Sequence, residues 1–175
     1  SSQPTVNAIR PQQEAAVKIV VDCVAKRREL TNGLLHALHA ILTRHQDTTM
    51  AVDQFGNRFE IQLLRGKFKE QPNNPKRPDE TIHEYCPPIH VDSEVDSLLG
   101  LLQQYSNEDP IIVSAWLHHR FTQIHPYQDG NGRVARALTT LVLLRADLLP
   151  IVVDRDLRVE YIKSLELADQ AQFSA

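Results

Sequence analysis

The nine residues HPYQDGNGR, at positions 125–133, separate two stretches with different apolar patterns. Before them, an Asp-Pro pair at 109–110 supplies a helix cap and a first-turn proline, and an amphipathic helix is predicted to run to Ile124. After them, residues 134–149 are apolar on nearly every side of a helix, which is typical of a central buried helix. We therefore predict a loop between two central helices, the second of which begins near Asn131.

The N-terminal part of the chain also has helical spacing. Pro11 opens an apolar repeat, TNG at 31–33 breaks it, and a second helical pattern follows. From residue 50 to 64 the pattern alternates around Gly56 and Asn57, which predicts a β-hairpin.

A proline-rich connection at 69–88 follows the hairpin, with a short strand predicted at 82–85. Asp92 is predicted to cap a third helix, and Asp154 or Asp156 to cap a final one. These patterns predict a mainly α fold, a helical bundle with one small β-hairpin.

Composition narrows the class of protein. A chain of 175 residues fits one domain, and its net charge of −3 disfavours a nucleic-acid surface. Two cysteines are too few for a disulfide framework, and no apolar stretch approaches the ~20 residues of a membrane span. We predict a cytoplasmic protein that binds neither nucleic acid nor membrane. We also expect a fragment of a longer protein, since the chain lacks an initiator methionine.

The loop carries the side chains of a phosphate site. A helix start binds anions, and GNG at 130–132 lets a phosphate approach the backbone. Arg133 and Arg136 offer two cationic forks to a polyphosphate, and Asp129 could bind the Mg²⁺ that bridges the phosphates. The proline after His125 favours an extended backbone there and leaves the imidazole free to act as a base.

Other sites built on this loop fit less well. Both registers of a calcium loop fail, because Leu138 or Arg136 stands where a glutamate belongs. A Walker loop fails because its lysine is replaced by arginine. His118 and His119 are interpreted as ordinary helix residues, not zinc ligands. A plain turn remains the alternative.

The stretch HPYQDGNGRVAR, at 125–136, resembles the signature of the Fic family, H-P-F-x-D/E-G-N-G-R-x-x-R, with Tyr127 in place of phenylalanine. Segments at 66–75, 82–88 and 158–169 resemble Fic-domain sequence as well. The resemblance implies the Fic fold, a helical bundle with a small β-hairpin flap and an active loop between two central helices.

On this basis residues 1–175 are expected to form a single Fic domain fragment. N-terminal helices would occupy about residues 1–45, the hairpin and flap about 46–90, and the catalytic helical core about 91–170.

The resemblance implies an enzyme that transfers AMP from ATP to a Ser, Thr or Tyr hydroxyl of a target protein (AMPylation). His125 would be the general base, Asp129 would hold Mg²⁺, and Asn131 would orient the α-phosphate within the anion hole. Arg133 and Arg136 would bind the β- and γ-phosphates. The implied nucleotide-binding residues are Gly130, Asn131, Gly132, Arg133, Arg136 and Tyr161, the last near the adenine.

The segment at 66–88 resembles the family's flap, a hairpin that aligns the main chain of the target protein by strand addition. The predicted target-positioning residues are Ile82, His83, Glu84 and Tyr85.

Many Fic proteins are inhibited by a helix with the pattern S/T-x-x-x-E-G/N, whose glutamate pairs with the second signature arginine, here Arg136. No glutamate of this chain is followed by glycine or asparagine. The inhibitory helix is therefore expected outside this fragment, on a partner, or not at all.

The motif leaves other functions open. Transfer of another nucleotide or of phosphocholine is compatible with it, and so is a non-catalytic protein-interaction module. Kinase-like relatives carry lysine at the second glycine, which Gly132 disfavours.

Overall fold

The computed structural model describes residues 6–53, 55–75 and 79–150 and four residues further on, with side chains described from Glu14 onward. The four later residues are Glu160, Lys163, Ser164 and Leu167. Tyr161 and the predicted caps of the final helix lie outside the described residues.

The described residues form a mainly helical domain with one small sheet, as predicted. The elements are α1 (Val6–Ala25), α2 (Asn32–Leu42), β1 (Thr48–Val52), β2 (Arg58–Gln62), α3 (Val91–Gln104), α4 (Pro110–Ile124) and α5 (Asn131–Arg145). Short 3-10 turns at Pro88–His90 and Tyr105–Asn107 flank α3.

Side-chain caps begin two of these helices where the sequence predicted a boundary. Thr31 accepts a hydrogen bond from the backbone N–H of Leu34 (3.3 Å) and starts α2. Asp109 accepts one from the N–H of Ile111 (2.8 Å) and starts α4, with Pro110 as its first residue.

Two other predicted helix starts are wrong. The first helix begins at Val6, ahead of Pro11. The third helix is preceded by His90, and Asp92 lies within its first turn. A carboxylate there still stabilises the helix through its dipole, which explains why the residue resembled a cap.

The hairpin is confirmed. Strands β1 and β2 pair antiparallel with Ala51 opposite Phe59. At the turn, the Asp53 carboxylate accepts the backbone N–H groups of Phe55 and Asn57, both at 2.8 Å, and Gly56 has a φ of +84°.

The strand predicted at 82–85 is reduced to a single bridge residue, Ile82. The N–H of His83 donates to the carbonyl of Pro75 (3.0 Å), and the next residues are irregular. The prolines on both sides explain this, because they cannot donate to a ladder of hydrogen bonds.

Helix α5 forms the centre of the domain and contacts α1, α2 and α4. It begins at Asn131 as predicted but ends at Arg145, because Asp147 adopts a φ of +58° and the N–H of Leu148 bonds back to the carbonyl of Leu143 (3.0 Å). The predicted buried run to residue 149 is therefore too long, and Leu149 is 86% exposed.

None of the helices in the described part of the chain has the length and apolar character of a membrane span.

Candidate active site

His125 lies at the C-terminal end of α4 with a left-handed backbone (φ 52°, ψ 57°). The extended backbone predicted from the following proline is therefore wrong. The N–H of His125 still closes the last helical turn by donating to the carbonyl of Phe121 (3.0 Å), and the left-handed residue then turns the chain into the loop.

The imidazole of His125 is neutral. Its Nδ1 is 3.1 Å from the carbonyl oxygen of Thr122. Because a carbonyl only accepts, Nδ1 carries the proton and Nε2 has a free lone pair. Burial lowers the pKa of His125 to about 4, so the ring is uncharged at neutral pH.

The predicted flap, residues 66–88, contacts this imidazole through Tyr85. The rings of Tyr85 and His125 are stacked in parallel, with centroids 3.8 Å apart and planes 8° apart. Of the other predicted flap residues, His83 packs edge-on against Tyr85 (4.8 Å), whereas Ile82 is 63% exposed and Glu84 is exposed. Of these four residues, Tyr85 is the one whose ring stacks on His125.

The start of the flap anchors the loop through residues that the sequence interpretation missed. The backbone N–H of Lys69 donates to the carbonyl of Pro126 (2.8 Å), and Asn73 Nδ2 donates to the carbonyl of Tyr127 (2.8 Å). The Lys69 ammonium is buried and donates to Asn73 Oδ1 (2.8 Å). Burial lowers the pKa of Lys69 to about 8.

Asn131 closes the loop from inside the protein. Its Oδ1 accepts the N–H of Tyr127 (2.8 Å) and its Nδ2 donates to the carbonyl of the same residue (2.7 Å). The side chain is almost fully buried, so in this arrangement its amide supports the loop backbone.

Tyr127, the one departure from the family signature, has a partner for its hydroxyl. The ring is fully buried and stacks on His39, with centroids 3.9 Å apart. The hydroxyl forms a hydrogen bond with His36 Nδ1 (3.1 Å). A tyrosine is therefore accommodated in the core without an unsatisfied polar atom.

His39 is a second residue that the sequence interpretation missed. The N–H of Gly66 donates to its Nδ1 (2.9 Å), so Nε2 carries the proton and donates to the carbonyl of Asp129 (2.9 Å). The only available signal was a histidine on the apolar face of α2, which is buried like its neighbours. Burial lowers the pKa of His39 to about 4.

The packing around Gly130 excludes a side chain, whereas the packing around Gly132 does not. Gly130 has a φ of +83°, and a Cβ there would lie 2.9 Å from Thr43 Cγ2 and 3.3 Å from the His39 ring. A Cβ on Gly132 would meet Arg136 Nη1 at 3.5 Å, an ordinary contact. The fold itself therefore requires glycine at Gly130.

Gln46 forms hydrogen bonds with Asp129, just before α5, and with Arg133, in the first turn of α5. Its Nε2 donates to Asp129 Oδ2 (2.5 Å), and its Oε1 accepts from Arg133 Nη2 (2.6 Å). Arg133 also donates from Nη1 to the carbonyl of Leu42 (3.0 Å). Arg136 is exposed, and within the described ranges no glutamate forms an ion pair with it.

The donor set at Asp129 suits one kind of metal. Its carboxylate side chain is 45% exposed. Across the residues that the structure describes, no three His, Cys, Asp or Glu side chains gather into a metal site. A single accessible carboxylate fits Mg²⁺, which takes its other ligands from water and phosphate, and does not fit a structural zinc.

The family model for Fic/DOC proteins matches residues 29–143, more than half of the chain. This chain belongs to the Fic/DOC family. A Fido domain-containing protein of Dictyostelium discoideum is 46% identical over 83 residues, covering 42% of this chain and 56% of that protein. The protein adenylyltransferase fic-1 of Caenorhabditis elegans is 39% identical over 87 residues. The match covers 47% of this Fic/DOC chain and 17% of the Caenorhabditis elegans protein.

The fold agrees with solved Fic structures. A Fic domain-containing signalling protein from Bacteroides thetaiotaomicron superposes with a TM-score of 0.78 at 22% identity, covering 95% of this chain and 59% of that one. The part of each of these three relatives that this Fic/DOC chain covers ranges from 17% to 59% of the relative's length.

Proposed function

We propose that this Fic/DOC domain transfers AMP from ATP to a serine, threonine or tyrosine hydroxyl of a target protein. The observation that carries the proposal is the neutral His125 imidazole, with its proton on Nδ1 and a free lone pair on Nε2, next to the loop that opens α5. The name of the worm relative, a protein adenylyltransferase, supports the same reaction.

In the proposed reaction the target hydroxyl oxygen attacks the α-phosphorus of ATP. Its proton moves to Nε2 of His125 as the new oxygen–phosphorus bond forms. The bond from the α-phosphorus to the oxygen that bridges to the β-phosphate breaks. AMP stays on the target, and pyrophosphate leaves.

The start of α5 would bind the phosphates. The first backbone bonds of this helix run from the N–H groups of Arg133 and Val134 to the carbonyl of Gly130, so the N–H groups of Asn131 and Gly132 precede them. Arg133 and the exposed Arg136 would add positive charge on the β- and γ-phosphates. Because Gly132 has no side chain, the anion would have room to approach the backbone there.

Asp129 would hold the magnesium ion, which when bound would offset the negative charge on the phosphates. Asn131 would act indirectly by holding the loop. Tyr161 stays a prediction from the sequence for the adenine side of the site.

The predicted flap residues would bind the target protein, and Arg136 would bind an inhibitory helix. The segment at 82–85, where Ile82 is 63% exposed, would pair with an extended segment of the target, and Tyr85 would position the base. An inhibitory helix that reaches Arg136 would lie outside residues 1–175, on a partner, or not exist at all. Both cysteines are free thiols, which fits the cytoplasm as the proposed location.

Labelled ATP tests the proposal. The change His125→Ala should lower AMP transfer into lysate proteins by about a hundredfold or more, because a lost general base removes ~10²- to 10⁴-fold. Its ATP affinity by calorimetry should stay near that of the wild type. The exposed His90, which makes no side-chain cap bond, supplies the control His90→Ala.

The position of the label separates the alternatives. Incorporation from the α-phosphate of ATP indicates AMP transfer, incorporation from the γ-phosphate indicates a kinase, and incorporation from CDP-choline indicates phosphocholine transfer. Transfer at the wild-type rate by His125→Ala would contradict the assigned base.

A further inference from the structure

Gln46, in the turn between α2 and β1, lies between two oppositely charged residues of the proposed site. Its amide accepts from Arg133 Nη2 (2.6 Å) and donates to Asp129 Oδ2 (2.5 Å). A guanidinium only donates and a carboxylate only accepts, so these partners determine which end of the amide faces each of them. The backbone N–H of Gln46 donates to the carbonyl of Thr43 (2.8 Å), which fixes the base of the side chain.

Asp129 and Arg133 are four residues apart and attract each other. Their closest charged atoms, Oδ1 and Nη2, are 3.8 Å apart, whereas a charge-assisted hydrogen bond is ~2.7–2.9 Å long. Their side chains are 45% and 34% exposed, so the two groups are accessible to a ligand. A direct bond between them would occupy both groups.

From these contacts, and resting on the proposed function, we infer that Gln46 is a positioning residue that holds Asp129 and Arg133 apart. The separation keeps the carboxylate available to Mg²⁺ and the guanidinium available to the phosphates of ATP. Without it, an exposed ion pair worth up to ~1 kcal/mol would compete with the ligand and weaken binding about fivefold.

Two substitutions test this role by calorimetry and metal titration, with no need for turnover. Gln46→Met keeps the length of the side chain but makes no hydrogen bond, so we expect it to weaken binding of Mg²⁺-ATP about fivefold. Gln46→Glu adds a carboxylate beside Asp129. It should tighten binding of Mn²⁺ alone and weaken binding of ATP in EDTA, two effects of opposite sign.

The control is Gln104→Met, at the exposed last residue of α3, which should change neither affinity. If Gln46 only supported the fold, Gln46→Glu would lower the affinities for Mn²⁺ and for ATP together, along with the melting temperature. That result, or unchanged affinities in both Gln46 variants, overturns the inference.

The wild type separates this inference from the proposed function. If the wild type transfers AMP and Gln46→Met binds Mg²⁺-ATP as the wild type does, only the inference fails. If the wild type transfers no AMP but the Gln46 variants change the affinities as expected, only the proposed function fails.

Discussion

Replacing Gly130 with alanine tests how closely the loop approaches α2. The residue has a φ of +83°, and the added Cβ would lie 2.9 Å from Thr43 Cγ2. A left-handed backbone costs a residue with a Cβ roughly 1–2 kcal/mol. Overpacking in a filled site adds about 1–3 kcal/mol. We therefore expect Gly130→Ala to lower the free energy of unfolding by about 2–5 kcal/mol.

The neighbours of Gly130 have little freedom to move away. Thr43 is fully buried, and its hydroxyl donates to the carbonyl of His39 (2.7 Å). The His39 ring, 3.3 Å from the added Cβ, is held at both nitrogens by Gly66 and Asp129. We therefore expect Gly130→Ala to lower the free energy of unfolding by nearly the whole packing contribution.

Gly56→Ala is the matched control for the backbone contribution. Gly56 has nearly the same φ, +84°, but nothing lies within 4 Å of the position that an added Cβ would take. The difference between the two variants measures the packing contribution, about 1–3 kcal/mol. Thermal unfolding followed by circular dichroism should show it as roughly 2–4 °C per kcal/mol.

Adding Thr43→Ser to Gly130→Ala removes Cγ2 and keeps the hydroxyl. The double variant should regain part of the packing loss and none of the backbone loss. If Gly130→Ala melts no lower than Gly56→Ala, the close approach of loop and helix is refuted.

Three further predictions concern the site and the core. Gly132→Ala should change the free energy of unfolding by no more than about 0.5 kcal/mol, yet weaken ATP binding in calorimetry; full affinity would argue against an anion at this turn. Tyr127→Phe should cost about 1 kcal/mol in urea unfolding, and less in a His36→Ala background; purely additive losses would exclude the hydrogen bond. Burial lowers the pKa of His118 from 6.5 to about 4, so the unfolded chain binds more protons there, and stability present above pH 6.5 is lost as the pH falls towards 4. The melting temperature should be lower at pH 5 than at pH 7, with a smaller difference in His118→Gln; equal differences would contradict a buried neutral ring.

The sequence by itself determined the features that depend on neighbours along the chain. Asp109 caps α4 through the N–H two residues on, and the hairpin turns where Gly56 supplies a positive φ. The loop motif at 125–136 also identified the family, because its chemical groups lie within twelve consecutive residues. Each of these signals is local, so a single sequence carries it.

Only the tertiary structure decided how that loop is held. Two of the partners of Asp129 come from far along the chain: Gln46 is 83 residues away and His39 is 90. The loop that follows the left-handed turn at His125 is bound by Lys69 at Pro126, and the Tyr85 ring stacks on His125 from 40 residues earlier in the chain. The proline after His125 disfavours a helical backbone there, and this local rule alone predicted an extended one. The rule does not exclude the left-handed conformation that His125 adopts. The choice between the two conformations depends on contacts between distant segments, which no short window of sequence contains.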